Sequence, residues 1–432
     1  MTRARTIPWL VSIAIFIAAH FVYRVEYHPG TRLYNVGIES LQLGNSLALH
    51  GTFADPFDPL PTGPSAHVAP GYPALVAVII RAFGNGAAGN LVLGRVTVLV
   101  IALQLSLLPF LARHLGLRFM TGVLAAAAWL LGPIRMYRWE SDFLALLAIL
   151  VAFPMFTAFR RKLSQVELAV TGLLWAVLLL FSPTPLLVLG AWLLGLHFVA
   201  RRKREQLIPL AMLPLLVSLP WIVRNYVVFS EPVFLRDNLG LELAVSNNPC
   251  AQYSLELNRS GSDCFSRNHP NESFDEAQKV LQLGEVQYNR VRMKQARAWI
   301  RENPGRFLEM TGERFVAFWF PAWTATAAGS PPAGRSSVLV SILTLLSLGG
   351  AFLAWRSSRT SILVLGPWLV VYPLLYYVIQ YDERYRHPVL WASFMLGCYL
   401  LVEMFSRIRE KRGSAGIAAE MTSDSSPDAV SD

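Results

Sequence analysis

Runs of about twenty apolar residues recur along the whole of this 432-residue chain, separated by short charged segments. About twenty residues is the length a helix needs to cross the hydrocarbon of a bilayer. The runs are continuous and lack the alternation that barrel strands require. Charged residues make up only 15% of the chain and hydrophobic ones 54%, whereas a soluble protein carries about 25% charged residues. The sequence therefore reads as an all-α integral membrane protein.

Ten spans are expected, near residues 7–23, 89–112, 118–136, 141–159, 165–181, 184–200, 207–227, 337–355, 361–380 and 388–406. With the N-terminus inside and the spans alternating, every dense Lys/Arg cluster at a helix end falls on the cytoplasmic side: 3–5, 113–118, 160–162, 201–204, 356–359 and 407–412. That is the positive-inside rule. The formal net charge of +10 thus reflects topology, and nucleic-acid binding is the wrong inference from it. The first run follows Arg3 and Arg5 as in a signal peptide, but no small-residue cleavage site comes after it, so it reads as a retained helix. Residues 1–406 form one polytopic domain of the plasma (inner) membrane, and 407–432 a disordered cytoplasmic tail.

Two long segments then lie outside, 24–88 and 229–335. In the first, an amphipathic pattern over 35–50 is stopped by Gly51, and a short apolar stretch at 74–83 reads as a re-entrant or interfacial helix. In the second, Ser273 with Glu276 reads as a capping box opening a helix that runs to about Glu302. Asn303-Pro304 restarts a helix, with Asn as its cap. Its end, Phe315 to Phe320, is aromatic, as suits a membrane interface. The plain reading of this pair is a solvated helical layer on the membrane. Cys250 and Cys264 share this loop, and they can pair if it lies outside the cytoplasm, while Cys398 sits in an apolar run.

Four separated stretches carry chemistry. Glu39 begins the amphipathic segment, followed by Gly51-Thr52-Phe53 and Pro70-Gly71-Tyr72-Pro73. Glu140 and Asp142 stand at a helix start. Leu219-Pro220-Trp221 leads through Arg224-Asn225-Tyr226 to Phe229, then to a Gly-containing turn and Asn247-Asn248-Pro249. Glu383-Arg384-Tyr385-Arg386 precedes His387-Pro388. Their wording and order resemble the bacterial polytopic glycosyltransferases of the GT-C superfamily, especially the family 39-related group of protein O-mannosyltransferases and lipid A aminoarabinose transferases. The family more often has Asp, or Asp-Glu, where this chain has the single Glu39.

The resemblance implies an inverting transfer of a sugar from a polyprenyl-phosphate donor to a lipid, glycan or protein acceptor at the outer face of the membrane. Glu39 falls at the family's catalytic acid and would take the acceptor's proton. Glu140 and Asp142 either orient the acceptor or hold a divalent cation through oxygen ligands; helix capping explains them equally. Arg224, Arg384 and Arg386 oppose the positive-inside bias. Phosphate binding accounts for them, since planar guanidinium engages two oxygens together, and so do salt bridges. His67, Tyr72, Asn225 and Asn247 are candidate substrate contacts. No His/Cys zinc set, phosphate-binding glycine loop, dinucleotide fingerprint or serine nucleophile elbow is present, so a donor carried on lipid is the consistent one. The alternatives are a transporter or flippase of lipid-linked sugars, or a non-catalytic assembly subunit of the same fold. Transporters place ionisable groups near the bilayer midplane, where this chain has Arg95 as its clearest exception. The sequence gives no oligomeric state.

Overall fold

The computed structural model describes residues 3–423, apart from 32, 34–36, 135, 137–139 and 325–333. Among the described residues there is no β-strand. The chain opens with α1 (Arg3–Val22), α2 (Ile38–His50), α3 (Gly71–Phe83), α4 (Ala87–His114), α5 (Phe119–Leu131) and α6 (Glu140–Arg160). It continues through α7 (Gln165–Phe181), α8 (Leu186–Phe198) and α9 (Arg204–Phe229). The second outer segment holds α10 (Leu239–Ser246), α11 (Leu255–Ser260), α12 (Cys264–Asn268), α13 (Phe274–Leu283), α14 (Glu285–Glu302), α15 (Pro304–Trp319) and α16 (Pro321–Thr324). The last helices are α17 (Arg335–Ser357), α18 (Arg359–Val370) and α19 (His387–Ser423).

Each expected span coincides with a helix. Six are long and apolar enough to cross a membrane: α4, α6, α9, α17, α18 with its following turn, and α19 with its preceding one. The spans at α1, α5, α7 and α8 are shorter apolar helices, as is α3. The protein is a multi-pass membrane protein. Three prolines lie inside α9, which a membrane helix tolerates because neighbours re-satisfy the freed backbone groups. After α18, Pro373 has no N–H to continue the ladder, and the chain tightens into a 3-10 turn, Tyr372–Tyr377. That turn brings Tyr372 and Tyr376 to the site described below. The final helix runs on to Ser423, into the segment read as a disordered tail; residues 424–432 lie outside the described residues.

The outer segments differ from expectation in local detail. Ser273 Oγ accepts from Glu276 N at 3.3 Å, but the Glu276 carboxylate turns instead to Tyr288 Oη at 2.6 Å and Lys279 Nζ at 2.6 Å. Only half of the capping box forms. The helix expected to run unbroken to Glu302 is split at Gly284, whose φ of +75° is open to glycine and strained for other residues. Asn303 caps the end of α14, donating to Trp299 O at 3.0 Å, and has no side-chain bond to the start of α15. Cys250 and Cys264 are joined in a disulfide, tying α12 to the loop after α10.

Five tryptophans, Trp129, Trp175, Trp192, Trp368 and Trp391, are buried among the helices. Trp192 meets Trp175 and Trp368 edge to face, at 5.5 and 6.1 Å. Small residues let helices approach backbone to backbone, as in membrane packing generally. Gly350 of α17 lies against the Leu396 carbonyl of α19, where a Cβ has no room. Gly350→Val should therefore force α17 and α19 apart at a cost of about 1–3 kcal/mol. The midpoint of thermal unfolding in detergent should fall. Gly312→Ala in α15, with open space around it, is the control and should leave the midpoint unchanged or raise it.

Candidate functional site

Seven pieces of chain, the 3-10 turn Tyr372–Tyr377 among them, converge on one cavity of about 350 Å³. The first turn of α2 brings Glu39, and the loop before α3 brings His67. The start of α6 supplies Glu140 and Ser141, and the turn before α8 supplies Ser182 and Thr184. The approach to α10 and its first turn give Arg236, Asn238 and Glu242. The 3-10 turn Glu383–Arg386 gives Arg384 and Tyr385. Leu144, Leu186, Leu187, Leu239 and Leu375 form the apolar part of the wall. Charge of both signs thus borders a surface that suits a hydrocarbon chain.

At one edge stand Glu39, His67 and His269, whose ligand atoms all lie within 4.8 Å of one another. His67 is 2% exposed and His269 3%. Asn271 fixes two of the three: its Nδ2 donates to Glu39 Oε1, and its N donates to His269 Nδ1 at 3.1 Å. Phe265 stacks on the His269 ring at 4.4 Å. The His67 Nδ1 is buried without a hydrogen-bond partner. Burial pushes His67 down to about 3 and His269 to about 4, against the opposing pull of Glu39, so both imidazoles are neutral at neutral pH. Burial pushes the Glu39 carboxyl up, but the histidines, a backbone hydrogen bond and Arg384 outweigh it. The histidines exert that pull only when charged, in acid. At neutral pH the backbone bond and Arg384 remain to favour the carboxylate. A carboxylate with two neutral imidazoles, one orphaned nitrogen among them, is a donor set that fits zinc or a similar divalent cation.

The loop carrying His67 is held from beneath. Glu285, at the start of α14, accepts from Ser65 Oγ and Ala66 N, both at 2.6 Å, and Ser65 Oγ in turn accepts from His67 N at 2.9 Å. Arg224 braces the same loop, donating to Ser65 O at 2.7 Å and Phe53 O at 2.9 Å. Its guanidinium lies 4.9 Å over the Trp221 ring.

Of the residues singled out in the sequence, Glu39, His67, Glu140 and Arg384 meet in the cavity. Arg384 is oriented by Asp382 at 3.3 Å and lies over the Tyr385 ring. Asp142 points away and pairs with His387 at 3.0 Å, both fully buried. Arg386 is also buried, donating to Thr344 Oγ1 at 2.8 Å and Val340 O at 3.2 Å. Asn225 donates to Val233 O, and Asn247 to Leu243 O and Val378 O. Tyr72 packs against Phe143 in the core. These residues, with Arg224, shape the scaffold and do not line the cavity. Sequence reasoning missed His269, Arg236, Glu242, Tyr376 and Tyr385. His269 lies 230 positions from Glu39, and nothing in its spacing marks it.

No protein-family model matches the chain, and no curated protein does either. Solved structures do. The archaeal oligosaccharyltransferase AglB from Archaeoglobus fulgidus, in complex with an inhibitory peptide and a dolichol-phosphate, aligns over 96% of this chain with a TM-score of 0.56 at 13% identity. The Archaeoglobus fulgidus oligosaccharyltransferase in complex with Zn and sulfate aligns over 95% with a TM-score of 0.55 at 15% identity. The alignments cover 52% and 51% of those chains, so this chain spans about half their length. The likeness shows the fold, an all-α GT-C-type membrane fold.

Burial raises the Glu285 carboxyl to about 8 in the folded protein. The folded state therefore holds a proton that the unfolded chain has released. The stability this contributes is fully present below the unfolded value near 4.5 and is lost as pH rises through about 8. Thermal unfolding should shift downward between pH 6 and pH 9. Glu285→Gln, which keeps an acceptor for Ala66 N, should flatten that shift. An unchanged pH slope in Glu285→Gln would rule out Glu285 as its source.

Proposed function

We propose that the chain is an inverting glycosyltransferase that moves a sugar from a polyprenyl-phosphate donor to a hydroxyl-bearing lipid, glycan or protein at the outer face of the plasma membrane. The observation that carries this reading is one cavity whose lining joins an apolar wall, Arg236 and Arg384, and the Glu39 and His67 of the Glu39–His67–His269 cluster. The apolar wall suits the first isoprenes of a lipid carrier. The two guanidiniums suit its phosphate, which needs more stabilisation as it leaves than while it is bound. A nucleotide-sugar enzyme would need no such wall. The fold agrees, since the Archaeoglobus enzyme of the same fold binds dolichol-phosphate and, in another structure, Zn.

Glu39, His67 and His269 would hold the cation. When bound, it would supply positive charge to a developing anion in a site partly shielded from water. Asn271 keeps the carboxylate and the His269 ring in place, and the braced loop does the same for His67. Glu140 faces the same space and is placed to orient the sugar or the acceptor. The arginine clusters at the opposite helix ends favour cytoplasmic termini and an outer cavity. The disulfide in the second outer segment fits an oxidising compartment.

Purified protein should transfer label from a polyprenyl-phosphate sugar, and Arg384→Ala should weaken donor binding and turnover together, each by about tenfold or more. Elemental analysis should find a divalent cation that His269→Ala and Glu39→Ala each lose. Chelation should then lower activity in the native protein, with recovery on adding metal back. A metal-free yet fully active native protein would remove the cation from this mechanism.

A further inference from the structure

A second cavity, of about 100 Å³, lies against the first. Its own lining is mixed: Arg259, His269 and Asn271, with Gln380 from the turn before α19, stand beside the apolar Ile38, Leu255 and Phe265. Four residues line both: Glu39, Glu242, Arg384 and Tyr385. A substrate entering from each side would meet its counterpart at these four side chains. The larger, leucine-walled cavity suits the lipid-linked donor, and the smaller one, with Arg259, Asn271 and Gln380 in its wall, suits an acceptor hydroxyl.

A proton must leave that hydroxyl as the new bond forms. Two carboxylates stand on the shared wall. Glu39 is engaged by the Asn271 amide and by its place beside two imidazoles. A carboxylate that ligates a cation is a poor base, because its lone pairs are taken. Glu242 is differently placed. One of its oxygens accepts from Asn238 Nδ2 at 3.2 Å, which leaves the other for a ligand. It sits in the first turn of α10, where Gly240 packs so closely on the Asn289 backbone of α14 that a Cβ there would have no room.

On the glycosyltransferase reading, we propose that Glu242, and not Glu39, is the general base that activates the acceptor. The sugar's anomeric carbon loses its bond to the phosphate oxygen and gains one to the acceptor oxygen. The acceptor's proton passes to the Glu242 carboxylate, and the polyprenyl phosphate departs with the electron pair beside Arg384.

The test measures transfer from a panel of undecaprenyl-phosphate hexoses and pentoses to methyl glycosides and a threonine-containing peptide. Glu242→Gln should lower kcat about a hundredfold or more, with donor KM within about threefold of the native protein. Its content of divalent cation should equal that of the native protein, which shows that the site is folded. Glu242→Asp should recover part of kcat. A kcat close to native in Glu242→Gln overturns the assignment while leaving the transferase reading intact. Loss of kcat together with loss of the cation also overturns it, by making Glu242 a support of the metal site. A native protein inactive across the whole panel overturns the transferase reading and this assignment with it.

Discussion

The bilayer's refusal to hydrate backbone groups governs everything else in this molecule. Inside hydrocarbon each N–H and C=O must find its partner within the segment, so the spans are helices. Charge is driven from the middle of those helices to their ends. Whatever chemistry the chain performs must then gather at a rim. Glu39, Glu140 and Arg384 are separated by about a hundred residues or more and meet only because each stands at the end of a helix on that rim.

A rim site has a problem that a soluble cleft lacks. Its walls are loops, and loops are mobile unless anchored. Here the anchoring is done by side-chain hydrogen bonds. Glu285 reaches up to two backbone-adjacent donors of the His67 loop, and Arg224 reaches down to two carbonyls of the same loop. Neither touches the cavity. Arg314 does comparable work behind it, donating to Ser246 O and Asn247 Oδ1 at the end of α10. A rigid loop is what a preformed cluster of Glu39, His67 and His269 needs, because ligands that must first be ordered bind weakly.

The fold was legible because the signals that fix it are local and long. A twenty-residue apolar run has one solution in a membrane, so each expected span coincides with a helix, six of them long enough to cross. The capping details were less legible because they depend on competition. Glu276 had a helix N-terminus within reach but found Tyr288 and Lys279 instead. Half of the site was visible for a similar reason. Glu39, Glu140 and Arg384 stand next to helix boundaries that the sequence marks. His269 and Glu242 do not. Their place is set by how α10, α12 and α14 stack, which no spacing in the chain records.

The outer arginines carry a more general lesson. In the topology expected from the sequence these cations oppose the positive-inside bias, and a phosphate ligand is one reason to tolerate them. The structure divides them into two kinds. Arg224, Arg314 and Arg386 each spend their guanidinium on backbone carbonyls, with a side-chain oxygen as a further acceptor. Their donors serve to brace the backbone behind the site. Arg236 and Arg384 face the cavity, where an anion can reach them. A guanidinium with five donors in a fixed plane is suited to both tasks, so residue type alone cannot separate them. The separating variable is whether the guanidinium borders the cavity. That is why Arg224, set in the sequence stretch with the clearest family likeness, holds the scaffold, while Arg236 in an unremarkable turn faces the site.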